Sequence, residues 1–254
     1  MTHVRAIHVH LKGIHLKVKK LVPLAAAAAA LILGSTAMPA SAQVATPTQQ
    51  KVDDATYQEL VAHLAEDGVP ATQQKTLANK VLTGKVLDSA KGVKASETKT
   101  WSDDTYTYTK DIYPDGSYQV VKMQKAGTKA KSDIVGPTVG GTISGCISTT
   151  GSGYVSRRDC SVVASEATYR ASFVADYTHS PTVGTIGAVR YPNVKGYGGV
   201  ASGAALAIPR PRSDGRLAAQ AYLRWNFTGA NGMAGGTTYL FLNVTPTTAS
   251  AFTD

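Results

Sequence analysis

The two cysteines of this chain, Cys146 and Cys160, lead directly into its longest alternating stretch. Val163, Ala167, Tyr169, Ala171, Phe173, Ala175 and Tyr177 share one parity. Glu166, Thr168, Arg170, Ser172, Asp176 and Thr178 share the other. Side chains of an extended strand alternate between faces, so this period predicts a long strand with one buried and one wet face. Ser165 interrupts the buried parity, which predicts a bulge or bend. A bridge between the cysteines closes a loop of about 15 residues, worth on the order of 3 kcal/mol in the chain-entropy model. The segment Cys146–Tyr177 therefore reads as a disulfide-tethered loop feeding the central strand of a β-rich domain.

A single cysteine pair fits an exported protein with one structural disulfide. Redox pairs have closer spacing, such as C-x-x-C, and a zinc site needs more Cys or His ligands than remain here, so no metal is expected. The start of the chain agrees with export. Arg5, Lys12, Lys17, Lys19 and Lys20 precede the 13-residue apolar run Leu21–Leu33, and Ala40-Ser41-Ala42 follows as a cleavage signal. This is the pattern of a secretory leader over residues 1–42, and the run is shorter than the roughly 20 residues of a membrane span. Loss of the leader's five basic residues leaves 21 Lys and Arg against 17 Asp and Glu, a net charge of +4. That mild balance argues against nucleic acid as a partner. Four of the six histidines also lie in the leader, leaving His63 and His179.

Residues 43–125 read as a small N-terminal region. Tyr57, Leu60, Val61 and Leu64 form one helical stripe, opened by Asp53 or Asp54 and stopped by Gly68. Pro70 opens a second helix with Leu77, Val81 and Leu82 on its apolar face. His63 falls at the edge of the first stripe, as a half-buried surface residue. Residues 85–100 read as a loose connection. Trp101–Tyr113 alternates Tyr with Thr, and Pro114-Asp115-Gly116 turns it into a second strand, Tyr118–Met123. That ladder fits either a sugar-binding aromatic face or ordinary cross-strand packing.

The Lys- and Gly-rich residues 126–141 read as a linker, and 142–254 as the β domain. Pro181–Gly199, with many Gly and two Pro, is expected to include a long loop, and Val200–Ile208 is read as a strand. Leu217–Phe227 and Thr237–Val244 give the clearest hairpin of the chain. The fold class predicted is α+β: an N-terminal αα-hairpin and β-hairpin, then a predominantly antiparallel, sandwich-like β domain with one disulfide.

Three pieces resemble a group of small secreted proteins of actinobacteria. They are GVPATQQKTLANKVLTGKVLDS, the YPDGSYQV hairpin, and GCISTTGSGYVSRRDC with the strand after it. The resemblance implies export and this architecture; the group has no assigned activity, and no catalytic residue carries over.

Catalytic patterns are weak. Asp176 lies three residues from His179, which in a strand puts them on opposite faces, and no G-x-S-x-G elbow occurs. Glu166 and Asp176 are too far apart on one strand to act as a glycosidase pair. Neither a phosphate loop nor a calcium loop is present. No cofactor is expected. The candidate binding residues are Tyr154, Arg157 and Arg158 in the loop closed by Cys146 and Cys160. The expected function is a secreted, non-enzymatic protein with an extracellular binding or structural role, its partner a cell-wall glycan or an extracellular protein. The alternatives are an extracellular hydrolase with an unrecognised site, or a protease inhibitor presenting Arg157 or Arg158 from that loop.

Overall fold

The computed structural model describes residues 53–128, 145–229 and 235–254. The expected leader and most of the expected linker lie outside them. Pro47–Asp254 forms one compact unit.

Helix α1 spans Asp54–Glu66 and α2 spans Ala71–Leu82. The Asp53 carboxylate accepts from Ala55 N at 3.3 Å, and Gly68 takes φ +72° after the last turn. The two stripes bury Leu60, Leu64, Leu77, Val81 and Leu82 as their spacing predicts. His63 departs from expectation. It is 1% exposed and stacks flat on Tyr197 at 3.7 Å, because the sheet closes over that edge of α1.

Among the described residues eleven strands follow: β1 Glu97–Ser102, β2 Tyr106–Ile112, β3 Tyr118–Gln124, β4 Ile147–Gly151, β5 Tyr154–Glu166, β6 Tyr169–His179, β7 Gly184–Gly196, β8 Gly199–Arg210, β9 Ala219–Gly229, β10 Thr237–Val244 and β11 Ala249–Thr253. One sheet has the order β1-β2-β3-β5-β6-β7, with β4 also pairing β5; the other has the order β11-β10-β9-β8. All the strand pairs are antiparallel.

Several expectations change. Trp101–Tyr113 is not one strand. Trp101 belongs to β1, and Asp103 turns the chain by accepting from Thr105 N and Tyr106 N, both at 2.7 Å. The alternation from Val163 to Thr178 is not one strand either. A two-residue turn at Ala167-Thr168 pairs Glu166 with Tyr169, so β5 and β6 form a hairpin. The register irregularity of β5 lies between Arg157 and Cys160, not at Ser165. The turn also swaps the parity, setting Glu166 on the face of Tyr169 and Ser172 on the face of Val163, and Glu166, Thr168 and Ser172 are all buried. Pro181–Gly199 is mostly the strand β7 rather than a loop.

The division at 126–141 also changes. β3 pairs with the second half of β5, from Gln119–Glu166 to Met123–Val162, while β4 pairs with the first half. The stretches on either side of the expected linker thus share one sheet. One face of that sheet packs on the second sheet, burying Val162, Ala171 and Phe173 against Leu223, Trp225 and Leu242. Cys146 and Cys160 are bonded within this core. Its other face carries the helices, burying Tyr118, Val120 and Tyr197 against Leu60, Leu77 and Val81. The result is three layers: helices, a large sheet and a small sheet. The turn from β7 to β8 passes so close to α2 that a Cβ on Gly198 would stand 2.6 Å from Val81 Cγ1. Its φ of +65° also favours glycine.

A buried polar latch joins α1 to the sheet. Asp67 Oδ2 accepts from Tyr118 OH at 2.8 Å and Ser165 Oγ at 2.5 Å, and Oδ1 accepts from Arg170 at 3.0 Å. His63 Nε2 donates to the Glu166 carbonyl at 2.7 Å. Burial lowers the His63 pKa and keeps the ring neutral, which matches donation from one nitrogen only.

Candidate functional site

The segment closed by Cys146 and Cys160 is a β-hairpin stapled at its base by the disulfide. β4 and β5 pair from Ile147–Arg158 to Gly151–Tyr154, with Ser152-Gly153 at the tip. Tyr154, the first residue of β5, is 45% exposed. Arg157 is registered with Ser148 on one side and Tyr177 on the other, in mid-sheet. Arg158 is exposed, two residues from the buried disulfide. A protease-inhibiting loop must offer its arginine on an extended backbone free to pair with the enzyme; here both strand edges at Arg157 are already occupied. The three predicted residues do not converge. Arg157 lines a cavity of about 410 Å³ with Lys125, Tyr177 and His179, and Tyr154 and Arg158 lie outside it.

His179 is not set up as a carboxylate-oriented base. Its Nδ1 lies 2.8 Å from the Thr245 carbonyl, which takes the ring proton. Asp176 instead accepts two hydrogen bonds from Arg190, both at 2.8 Å, and one from Asp159 N at 2.8 Å. Burial works against the Asp176 charge, but these donors outweigh it and hold its pKa below the usual carboxylate range. The same Arg190 also pairs with Asp159, which sits in the strand irregularity at φ +59°. This cluster pins the irregularity and leaves no acid for His179. Among the described residues no group of three or more His, Cys, Asp or Glu is placed to hold a metal ion.

The feature that sequence reasoning missed lies on the outer face of the small sheet. Along β9 the odd-numbered residues are buried and the even-numbered ones face out; along β10 the parities are reversed. Register then sets Tyr222, Phe241 and Phe252 in one cross-strand row, because Tyr222 pairs with Phe241 and Phe241 with Phe252. Phe241 and Phe252 stack at 5.0 Å, and Tyr239 stacks on Phe241 at 5.4 Å. Tyr222 meets Tyr239 and Phe241 edge-on at 5.4 and 5.9 Å. None of these rings is buried, and Phe252 is 40% exposed.

The rows on either side are polar. Gln220 and Asn243 face each other and share a hydrogen bond of 3.0 Å. Arg224 pairs with Tyr239 on the other side, and beyond it Asn226 accepts from Thr237 at 2.8 Å. The signal in the sequence was aromatic residues at the outward parity, Tyr222, Tyr239 and Phe241. The Tyr/Thr ladder of β2 is largely packing, since Tyr106 is buried and Tyr108 donates to Asp103 at 2.7 Å. Trp101, stacked on Tyr108 at 4.9 Å, is 43% exposed beside it.

No family model matches the chain, and no curated protein matches it. A crystal structure of the hypothetical protein lmo2686 from Listeria monocytogenes EGD-e is similar at a TM-score of 0.32 and 16% identity, covering 66% of this chain and 100% of that one.

Proposed function

We propose that this protein is exported and acts outside the cell as a non-enzymatic glycan-binding protein, with the outer face of the small sheet as its ligand surface. The observation that carries this reading is the aromatic row Tyr222–Phe241–Phe252, with Tyr239 beside it. The solvent face of an antiparallel sheet is ordinarily polar, and contiguous apolar surface on it marks a contact site. Sugar rings present flat C–H faces that stack on aromatic rings, and their hydroxyls need donors and acceptors at the margins. Gln220, Asn243, Asn226 and Arg224 occupy those margins. The outward rings already stand on a sheet whose other face is fully packed, so little ordering is lost on binding.

The buried disulfide fits an oxidising compartment. Among the described residues no helix is long and apolar enough to cross a membrane. The disulfide and the leader pattern at residues 1–42 support secretion.

The test is co-sedimentation of the full protein with insoluble cell-wall polysaccharide. A Tyr239→Ala, Phe252→Ala double variant should lose binding about tenfold or more, at on the order of 1 kcal/mol per stacked ring. Wild-type binding by a double variant with an unchanged thermal midpoint would remove this surface from consideration.

A further inference from the structure

A second cavity, of about 460 Å³, opens between the two sheets at the Glu166 end of β5. Its inner wall is made by buried residues: Leu87, Ser89, Tyr113, Glu166, Tyr169 and Phe227. Val86, Gly235, Gly236, Thr237 and Asp254 are exposed and form its mouth. Among the described residues that line it there is no Lys or Arg.

The polar groups at its inner end are under-used. The hydroxyls of Ser89 and Tyr169 are buried beside the Glu166 carboxyl, close enough to steady its charge, but neither makes a hydrogen bond of ordinary length and angle within the described residues. The Glu166 carboxyl is 3% exposed and accepts one long hydrogen bond, 3.4 Å, from Thr168. Gln119, the other amide at this end, is turned to its neighbours: it accepts from Tyr113 OH and donates to the Ser89 carbonyl. Buried polar atoms are nearly always satisfied, so three under-satisfied oxygens facing one cavity mark a place for a donor-rich guest.

We propose that this cavity binds a primary alkylammonium group, with Glu166 as counter-ion and the Ser89 and Tyr169 hydroxyls accepting its remaining N–H groups. Three acceptors meet the three donors of an ammonium, which itself accepts nothing. Leu87, Val86 and the rings of Tyr113 and Phe227 suit an apolar stem, and an aromatic face attracts a nearby cation. A carboxylate ligand has no base here to meet it. The titratable groups nearest Glu166 are Tyr113, Tyr118 and Tyr169, whose pKa values are raised chiefly by burial, so all stay neutral near pH 7; a second acid, Asp254, stands at the exposed mouth of the cavity. Burial pushes Glu166 itself up to about 7, against the moderating hydroxyls and amide of Ser89, Gln119, Thr168 and Tyr169. An arriving ammonium favours the ionised form, so binding below that value releases a proton.

Calorimetric titration of the full protein with n-pentylamine, at pH 8 and pH 5.5, tests this. n-Pentanol serves as the neutral counterpart. Pentylamine should bind at least tenfold more tightly than pentanol at pH 8 and weaken by roughly tenfold per unit below pH 7. Glu166→Gln should lose at least tenfold, and Tyr169→Phe and Ser89→Ala several-fold each. Nα-acetyl-lysine N-methylamide identifies the source: tighter binding than pentylamine points to a peptide side chain, weaker binding to a free amine. Equal binding of pentanol, no pentylamine binding at millimolar concentration, pH-independent affinity, or undiminished binding by Glu166→Gln would each overturn the proposal. The pH and pentanol comparisons use the unaltered protein, so they decide the matter even if a variant does not fold.

Discussion

Glu166 ties stability to pH in the opposite direction to an ordinary paired carboxylate. Its folded pKa is about 7, against about 4.5 for the free side chain, and burial is the cause. Between those values the unfolded chain ionises while the folded chain stays protonated, so stability falls as pH rises and levels off above 7. Integrated over that window the loss is about 3 kcal/mol. His63 pulls the other way. Its folded pKa lies below the ordinary 6.5, so its contribution is full above that value and is lost as the medium becomes more acidic. Replacing Glu166 by Gln removes the first dependence and leaves the second. Urea unfolding should show Glu166→Gln gaining about 3 kcal/mol relative to the parent between pH 4 and pH 8. An unchanged difference between the two proteins across that range would show that Glu166 is not shifted in the folded state.

Helix α1 is held by more than its leucines. Asp67, just past its last turn, collects hydrogen bonds from Tyr118, Ser165 and Arg170 and is almost fully buried. Asp67→Ala leaves two hydroxyls without their acceptor and takes from Arg170 the more buried of its two carboxylates, Glu66 remaining at 3.0 Å, at a cost of about 3 kcal/mol. A midpoint change in urea corresponding to under 1 kcal/mol would mean that the latch is dispensable. None of this latch was legible in the chain, because its members come from residues 63 to 170 and meet only through the β3–β5 pairing. The helices themselves were legible, since Leu60, Leu64, Leu77 and Val81 carry a helical period. So were the Pro114-Asp115-Gly116 turn and the β9–β10 hairpin. The β5–β6 turn was hidden because Ala167-Thr168 contains none of the Gly, Asn or Asp that mark two-residue hairpins. The apolar alternation ran through it without a break. β7 was hidden by Gly187, Pro192 and Gly196, which an edge strand tolerates, and by the irregularity around Tyr191 at φ +56°. At the aromatic face, the parity of Tyr222 and Phe241 was legible, but Phe252 was not, because Ala249–Thr253 is too short and too polar to announce a strand.

The centre of the large sheet is covered on both faces, and this makes the described residues one folding unit. The sequence reading places residues 142–254 in a domain of their own, yet that segment lacks β3, the pairing partner of half of β5. It also lacks the helices that cover Ala167 and Tyr197. A fragment starting at residue 142 would expose the backbone edge of β5 from Val162 to Glu166, an aggregation-prone template, and would strip the Ser165–Arg170 face of its acid partner Asp67. We therefore expect residues 142–254 alone to be insoluble, or soluble without a cooperative urea transition, while residues 47–254 unfold in a single step. Circular dichroism and intrinsic fluorescence of both proteins across a urea series distinguish the cases. Fluorescence is informative because Trp225 lies in the core between the sheets, whereas Trp101 is exposed on β1. If the helical layer came away first, the far-ultraviolet signal would change before the Trp225 environment does. Coincident transitions require that the latch, the β3–β5 pairing and the sandwich core fail together, as three layers sharing one central sheet must.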